Sequence, residues 1–212
     1  MCGSARGDAC RIFGAERVAE MRNVAIAAAT CWLFAFSRVV FADPAAGEEK
    51  ADKLCLVCHG ASVREGRHYT PVLEGQPQAF FIAQITAYTS GKRTGDTMKT
   101  MAGGLSAVDA QDIADFFASR KVGPYPGFDV AKADAGMKAL AQLTCHSCHG
   151  SEYAGNGSAA RLAGQNPMYA ASELRSMRSG KRLHPTSDGG DTIKTLTDDD
   201  INNVAHALAS LN

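Results

Sequence analysis

Apolar side chains recur at helical spacing in three stretches of this chain, and the same three stretches appear twice. Phe81, Ile85 and Tyr88 share one face of a segment opening at Pro77, and Ala170, Leu174 and Met177 do the same in a segment opening at Pro167. Ile113, Phe116 and Phe117 form a stripe behind Ser106-x-x-Asp109. Ile201, Val204, Ala205 and Leu208 form the matching stripe behind Thr197-x-x-Asp200. Both four-residue patterns are capping boxes, which satisfy free amides at a helix start. Ala- and Lys-rich runs over residues 47–57 and 131–147 complete each set. No run alternates with period two, so the pattern predicts an all-α chain without a sheet.

The repetition extends to individual residues. Cys55-Leu-Val-Cys-His59 returns as Cys145-His-Ser-Cys-His149, and Leu73-x-Gly75-Gln76 returns as Leu162-x-Gly164-Gln165. Ser90-Gly-Lys-Arg93 returns as Ser179-Gly-Lys-Arg182, and Leu105-Ser106 as Leu196-Thr197. The offsets are 90, 89, 89 and 91. A nearly constant offset over four landmarks means one unit duplicated. Between the copies, Val122-Gly-Pro-Tyr-Pro-Gly127 breaks helices and predicts a short, stiff linker. The expected organisation is a leader over residues 1–42, a first domain over 43–121, a linker over 122–129 and a second domain over 130–212.

The leader follows from a different pattern. Residues 23–36 are almost wholly apolar, preceded by Arg17 and Arg22 and followed by Val40-Phe41-Ala42, the three parts of a secretory signal peptide with cleavage expected after Ala42. The run is shorter than the ~20 residues that span a bilayer. Met21-Arg22 would also begin a well-formed signal peptide, so residues 1–20 read as an over-extended start. The mature chain is then expected in the periplasm. Its 17 bases against 19 acids lack the basic excess that drives nucleic-acid binding. Of seven cysteines in the chain, Cys55, Cys58, Cys145 and Cys148 remain after cleavage.

Those four cysteines all belong to Cys-x-x-Cys-His motifs. In such a motif the two thiols add to the vinyl groups of one haem and the adjacent histidine lies under the iron. Zinc needs four ligands in one place, and two Cys plus one His per copy fall short. Two covalent haem c groups are therefore expected, with Cys55, Cys58, Cys145 and Cys148 as attachment points and His59 and His149 as proximal ligands. Size agrees with this. A domain of about 80 residues buries a marginal core, and these Ala- and Gly-rich copies gain from a large apolar group at their centre.

The motif, the Leu-x-Gly-Gln turn, a methionine seven residues before Leu-Ser and the amphipathic last helix resemble class I cytochromes c. Duplication across a short linker resembles the dihaem cytochrome c4 type, over essentially all of residues 45–211. The resemblance implies an all-α fold of two tandem class I cytochrome c domains, each wrapped around one haem. It also implies that each proximal histidine donates its second ring nitrogen to a backbone carbonyl just before the Leu-x-Gly turn, here Pro71 or Ala160. Met98 holds the position that supplies the distal sulfur, and Met101 is read as packing.

The second copy departs from this pattern. Counting seven back from Leu196 reaches Gly189, whereas matching Gly95-Asp-Thr-Met-Lys-Thr-Met101 onto Gly190-Asp-Thr-Ile-Lys-Thr-Leu196 sets Ile193 opposite Met98. Neither can bind iron. Met137, Met168 and Met177 read as helix packing, and His68, His146 and His206 as surface residues. His184 lies in the loop before Leu196, within reach of a distal face, although a lone loop histidine is most often solvated.

The function expected is single-electron transfer between redox proteins, a membrane-bound oxidase or dehydrogenase foremost, with peripheral membrane contact compatible. Ser90-Gly-Lys-Arg93 and its repeat read first as solvated surface pairs, with docking of an acidic partner or pairing with haem propionates as the alternative that their repetition favours. Two alternatives stand beside this: an enzyme or ligand-binding site for peroxide, nitric oxide, carbon monoxide or a sulfur compound at an open second haem, and a cytochrome subunit of a larger complex. No constellation of acid, base and substrate-binding residues accompanies the second motif, which favours a carrier over an enzyme.

Overall fold

A computed structural model describes residues 43–60 and 69–212. The expected leader and His68 lie outside the described residues. In chain order the elements are α1 (Pro44–Leu54), α2 (Leu56–His59), α3 (Gln78–Thr89), α4 (Asp96–Gly103) and α5 (Ala107–Ser119), then α6 (Val130–Leu140), α7 (His146–His149), α8 (Pro167–Arg178), α9 (Ser187–Lys194) and α10 (Asp198–Ser210). Among the described residues there is no strand beyond an isolated bridge between Asn156 and Ala159.

Both capping boxes form. Ser106 accepts from the Asp109 amide while the Asp109 carboxylate takes the Ser106 N–H, and Thr197 and Asp200 repeat the arrangement. The expected faces point inward: Ile113, Phe116 and Phe117 are buried in one copy, and Ile201, Val204, Ala205 and Leu208 in the other. Pro77 sits at the N-cap of α3, one place earlier than Pro167, which is the first helical residue of α8 behind an Asn166 cap. Helices α4 and α9 lie outside the three segments per copy that periodicity predicts. They are short, and each buries only one residue, Ala102 or Ile193.

The packing repeats as the sequence does. In the first copy α5 receives α1 and α3, and in the second α10 receives α6 and α8. Each first-to-last helix contact is made backbone on backbone. A Cβ on Gly47 would lie 2.1 Å from the Asp112 carbonyl oxygen, and one on Gly136 2.0 Å from that of Asn203. Glycine is therefore the residue that permits the crossing, and Ala51 and Phe117 or Leu140 and Ala207 close the core beside it. The first crossing carries an added polar tie. Lys50 reaches Asp109 at 2.5 Å and Asp112 at 2.9 Å, and the Asp43 amide donates to Asp112. The lysine bond to Asp109, together with those from Ser106, holds its carboxyl at a pKa of about 2.

The linker is docked: Val122 and Tyr125 are buried with Val72 and Ala209, and the Tyr125 amide donates to the Ala209 carbonyl at 2.7 Å. Met137 and Met168 are about two-fifths exposed and fill no core. His206 is engaged, its Nδ1 accepting from the Asp129 amide at 3.0 Å at the start of α6. The described residues cluster as one unit.

The glycine contacts generate a prediction. Gly47→Ala and Gly136→Ala force two helix backbones apart and are expected to cost ~1–3 kcal/mol each, or more if the helices cannot yield. Gly103→Ala, in a helix with open space around it, is expected to stabilise by up to ~1 kcal/mol. Thermal denaturation of the three variants checks this, and equal effects at all three positions would refute the crossing argument.

Candidate functional site

The two Cys-x-x-Cys-His segments fold alike. The first follows directly on α1 and the second follows α6 after the connection 141–144; each winds into one helical turn, α2 or α7, carrying its histidine at the last position. Cys55 and Cys145 lie half-buried against the core of their own copy, and Cys58 and Cys148 are exposed. None of the four is in a disulfide. Burial pushes the Cys55 thiol up to about 11, and Cys145 also rises. Among the described residues no group of three His, Cys, Asp or Glu side chains is arranged to hold a bare metal ion.

Each histidine is fixed through one nitrogen. Nδ1–H of His59 donates to the Pro71 carbonyl at 3.0 Å, and Nδ1–H of His149 donates to the Ala160 carbonyl at 2.7 Å. A carbonyl only accepts, so the proton is on Nδ1 and Nε2 keeps its lone pair. Burial pushes the pKa of both histidines down, more strongly than the carbonyls raise it. Thiols three residues apart beside an imidazole with a free Nε2 are the donor set that a covalently attached haem requires, and the residues present fit that group.

The residue that follows each of these carbonyls is held in turn from the opposite copy. In the turn after Val72, Gly75 has φ +70° and donates its amide to the Phe117 carbonyl; Gly164, with φ +69°, donates to Leu208. These turns project their glutamines across the interface. Gln165 accepts from the Val72 amide at 2.7 Å and donates to the Val72 carbonyl at 3.0 Å. Gln76 accepts from the Arg161 amide at 3.0 Å and donates to the Arg161 carbonyl at 2.9 Å. Val72 follows Pro71, and Arg161 follows Ala160. The seat of each histidine is thus bound by a side chain of the other copy.

The repeated arginines also meet there. Arg93 donates to Gln84, Tyr169 and Glu173, and Arg182 donates to Glu173 and Gln84. Both arginines are mostly buried, at 10% and 18% side-chain exposure, so the expected solvated pair, like its docking alternative, gives way at these two residues to an internal clamp. Lys92 and Lys181 of the same repeats face solvent.

Helix α4 carries Met98, half-buried, at its third residue, and Met101, 39% exposed. Helix α9 has the same length, eight residues, and runs likewise from an N-cap to a C-cap beside the leucine that precedes the capping box. Its third residue is Gly189. The structural register therefore pairs Met98 with Gly189 and buried Ala102 with buried Ile193, and the local likeness of residues 95–101 to 190–196 is out of register.

Comparison with known proteins places these features in context. No family model matches the chain. The cytochrome c4 of Pseudomonas aeruginosa is 35% identical over 159 residues, covering 71% of this chain and 77% of that protein. The crystal structure of reduced recombinant cytochrome c4 from Pseudomonas stutzeri superposes with a TM-score of 0.68 at 28% identity, covering 81% of this chain and 100% of that one. A protein of Thiomonas intermedia described as a thiosulfate dehydrogenase electron acceptor is 35% identical over 80 residues, 36% of each chain.

The glutamine exchange predicts that Gln165→Leu leaves the buried Val72 amide and carbonyl without partners, at a cost of ~1–3 kcal/mol for each group orphaned. Gln76→Leu is expected to cost less, because its bonds to Arg161 are only partly buried. Chemical denaturation should show one transition for the parent protein and two for the double variant. A single unchanged transition would show that the exchange does not couple the copies.

Proposed function

Because the chain belongs to the cytochrome c4 family of dihaem cytochromes c, we propose that it carries single electrons between redox partners in the periplasm, with two irons of unequal ligation. Two haem c groups are attached covalently at Cys55/Cys58 and Cys145/Cys148. When bound, each supplies an iron that accepts and releases one electron. The protein holds and tunes these groups. In this reading His59 and His149 are the proximal ligands, oriented by the Pro71 and Ala160 carbonyls, and Met98 supplies a soft distal sulfur that favours ferrous iron in the first site.

The observation that carries the reading is the pair of imidazoles, each beside its own Cys-x-x-Cys and each turned so that Nε2 is available. Inequality of the sites is supported by the register of α4 and α9, in which Gly189 stands at the position of Met98. Axial ligation moves haem potentials over a range of ~0.8 V, so with Gly189 in place of a methionine sulfur the second site would hold its haem at a lower potential than the first, which Met98 would raise. A dehydrogenase as electron donor is supported by the likeness to the Thiomonas electron acceptor. Periplasmic residence is supported by the leader pattern over residues 1–42 and would give a mature chain beginning near Asp43.

Intact mass of the mature protein should equal the polypeptide plus two haems; a single haem would refute the assignment. Met98→Ala should abolish the sulfur-to-iron charge-transfer band at the red end of the oxidised spectrum, whereas Met101→Ala should keep it. The reverse pattern would move the ligand to Met101.

A further inference from the structure

The second copy loses the methionine but gains a side chain in the same place. The connection from the C-cap of α3 (Ser90) to the N-cap of α4 (Gly95) is two residues shorter than its counterpart from Ser179 to Thr186. Arg93 and Arg182 still match at an offset of 89, so the extra residues fall between Arg182 and Thr186, the stretch that carries His184. His184 is half-buried and not free in solvent.

Its imidazole fills the space that a side chain on Gly189 would need. A Cβ built there would lie 2.2, 2.4 and 2.9 Å from Cε1, Nδ1 and Nε2 of His184. The side chain of Met98 starts from the same third position of α4. Deleting the side chain at 189 is what admits the ring.

The ring also faces the proximal histidine. The centroids of His149 and His184 are 6.3 Å apart, with their planes at 60°. A metal–imidazole bond of about 2.0 Å, added to about 1.1 Å from nitrogen to ring centre, sets two imidazoles that share one metal about 6 Å apart between centroids. Both rings use Nδ1 elsewhere: His149 on Ala160, and His184 on Thr186, whose carbonyl, hydroxyl and amide nitrogen lie 3.1, 3.2 and 3.3 Å from it, the carbonyl nearest. With the proton on Nδ1 toward that carbonyl, His184 keeps its Nε2 lone pair. Thr186 is also the N-cap of α9 and accepts from the Gly189 amide, so one residue fixes both the ring and the position it covers.

We propose that His184 is the distal ligand of the second haem, making that site a bis-histidine centre beside a histidine–methionine one. The inference rests on the dihaem reading above. It closes the second iron to small ligands and assigns that site to electron transfer alone.

Electron paramagnetic resonance and optical spectra of the oxidised two-haem protein should show both irons low-spin. His184→Ala should turn one of the two irons high-spin and let the reduced protein bind one carbon monoxide per chain, and added imidazole should restore the low-spin spectrum. Gly189→Ala, which keeps the histidine but displaces its ring, should produce the same high-spin iron. A high-spin iron in the parent protein, or a His184→Ala variant that stays low-spin and inert to carbon monoxide, would overturn the assignment while leaving two haems by mass and the carrier reading intact. Fewer than two haems by mass would overturn the dihaem reading and the inference together.

Discussion

A primary amide offers one donor group and one acceptor, which is also what a single extended residue presents along its backbone. Gln165 and Gln76 use this match across the interface between the copies, each binding the N–H and C=O of one residue in the other copy. Val72 and Arg161 lie in connecting segments that no helix satisfies, and both are shielded from water to different degrees. The neighbouring carbonyls of Pro71 and Ala160 hold the two imidazoles. Histidine orientation in each copy thus depends on a side chain rooted in the other, and the repeated turn glycines exist to project those side chains.

Around this symmetric centre the copies have diverged in charge and in ligation. Only the first has the Lys50, Asp109 and Asp112 tie between its first and last helices; in the second, Arg175 and Arg178 on α8 reach Asp198 at the start of α10. The arginine clamp shows how divergence can preserve an interface. Gln84 and Glu173 occupy equivalent positions, one neutral and one charged, so two guanidinium groups share a single carboxylate and one amide oxygen.

Much of this architecture is legible in the sequence, because it is written in local patterns. The capping boxes, the apolar stripes of α5 and α10, the Cys-x-x-Cys-His turns and the Leu-x-Gly-Gln turns all depend on residues within a few positions of one another. The partners of Arg93 and Arg182 include residues 80 and 98 positions away, and so do not register in any local window. Helices α4 and α9 each bury one residue, too few to give a period. The register of Met98 was ambiguous for a related reason. Five shared residues between 95–101 and 190–196 favour one alignment, whereas the caps at both helix ends, visible only in the fold, enforce the other.

The buried linker has a consequence for how the two centres communicate. A flexible tether would let the copies drift, and any exchange between them would wait on diffusion. With Tyr125 packed against Val72 and bonded to the Ala209 carbonyl of the last helix, the connection is part of the wall that both copies share. The separation of the two histidine sites is then a constant of the molecule. What passes between them then depends on one fixed geometry and not on the length or stiffness of a tether.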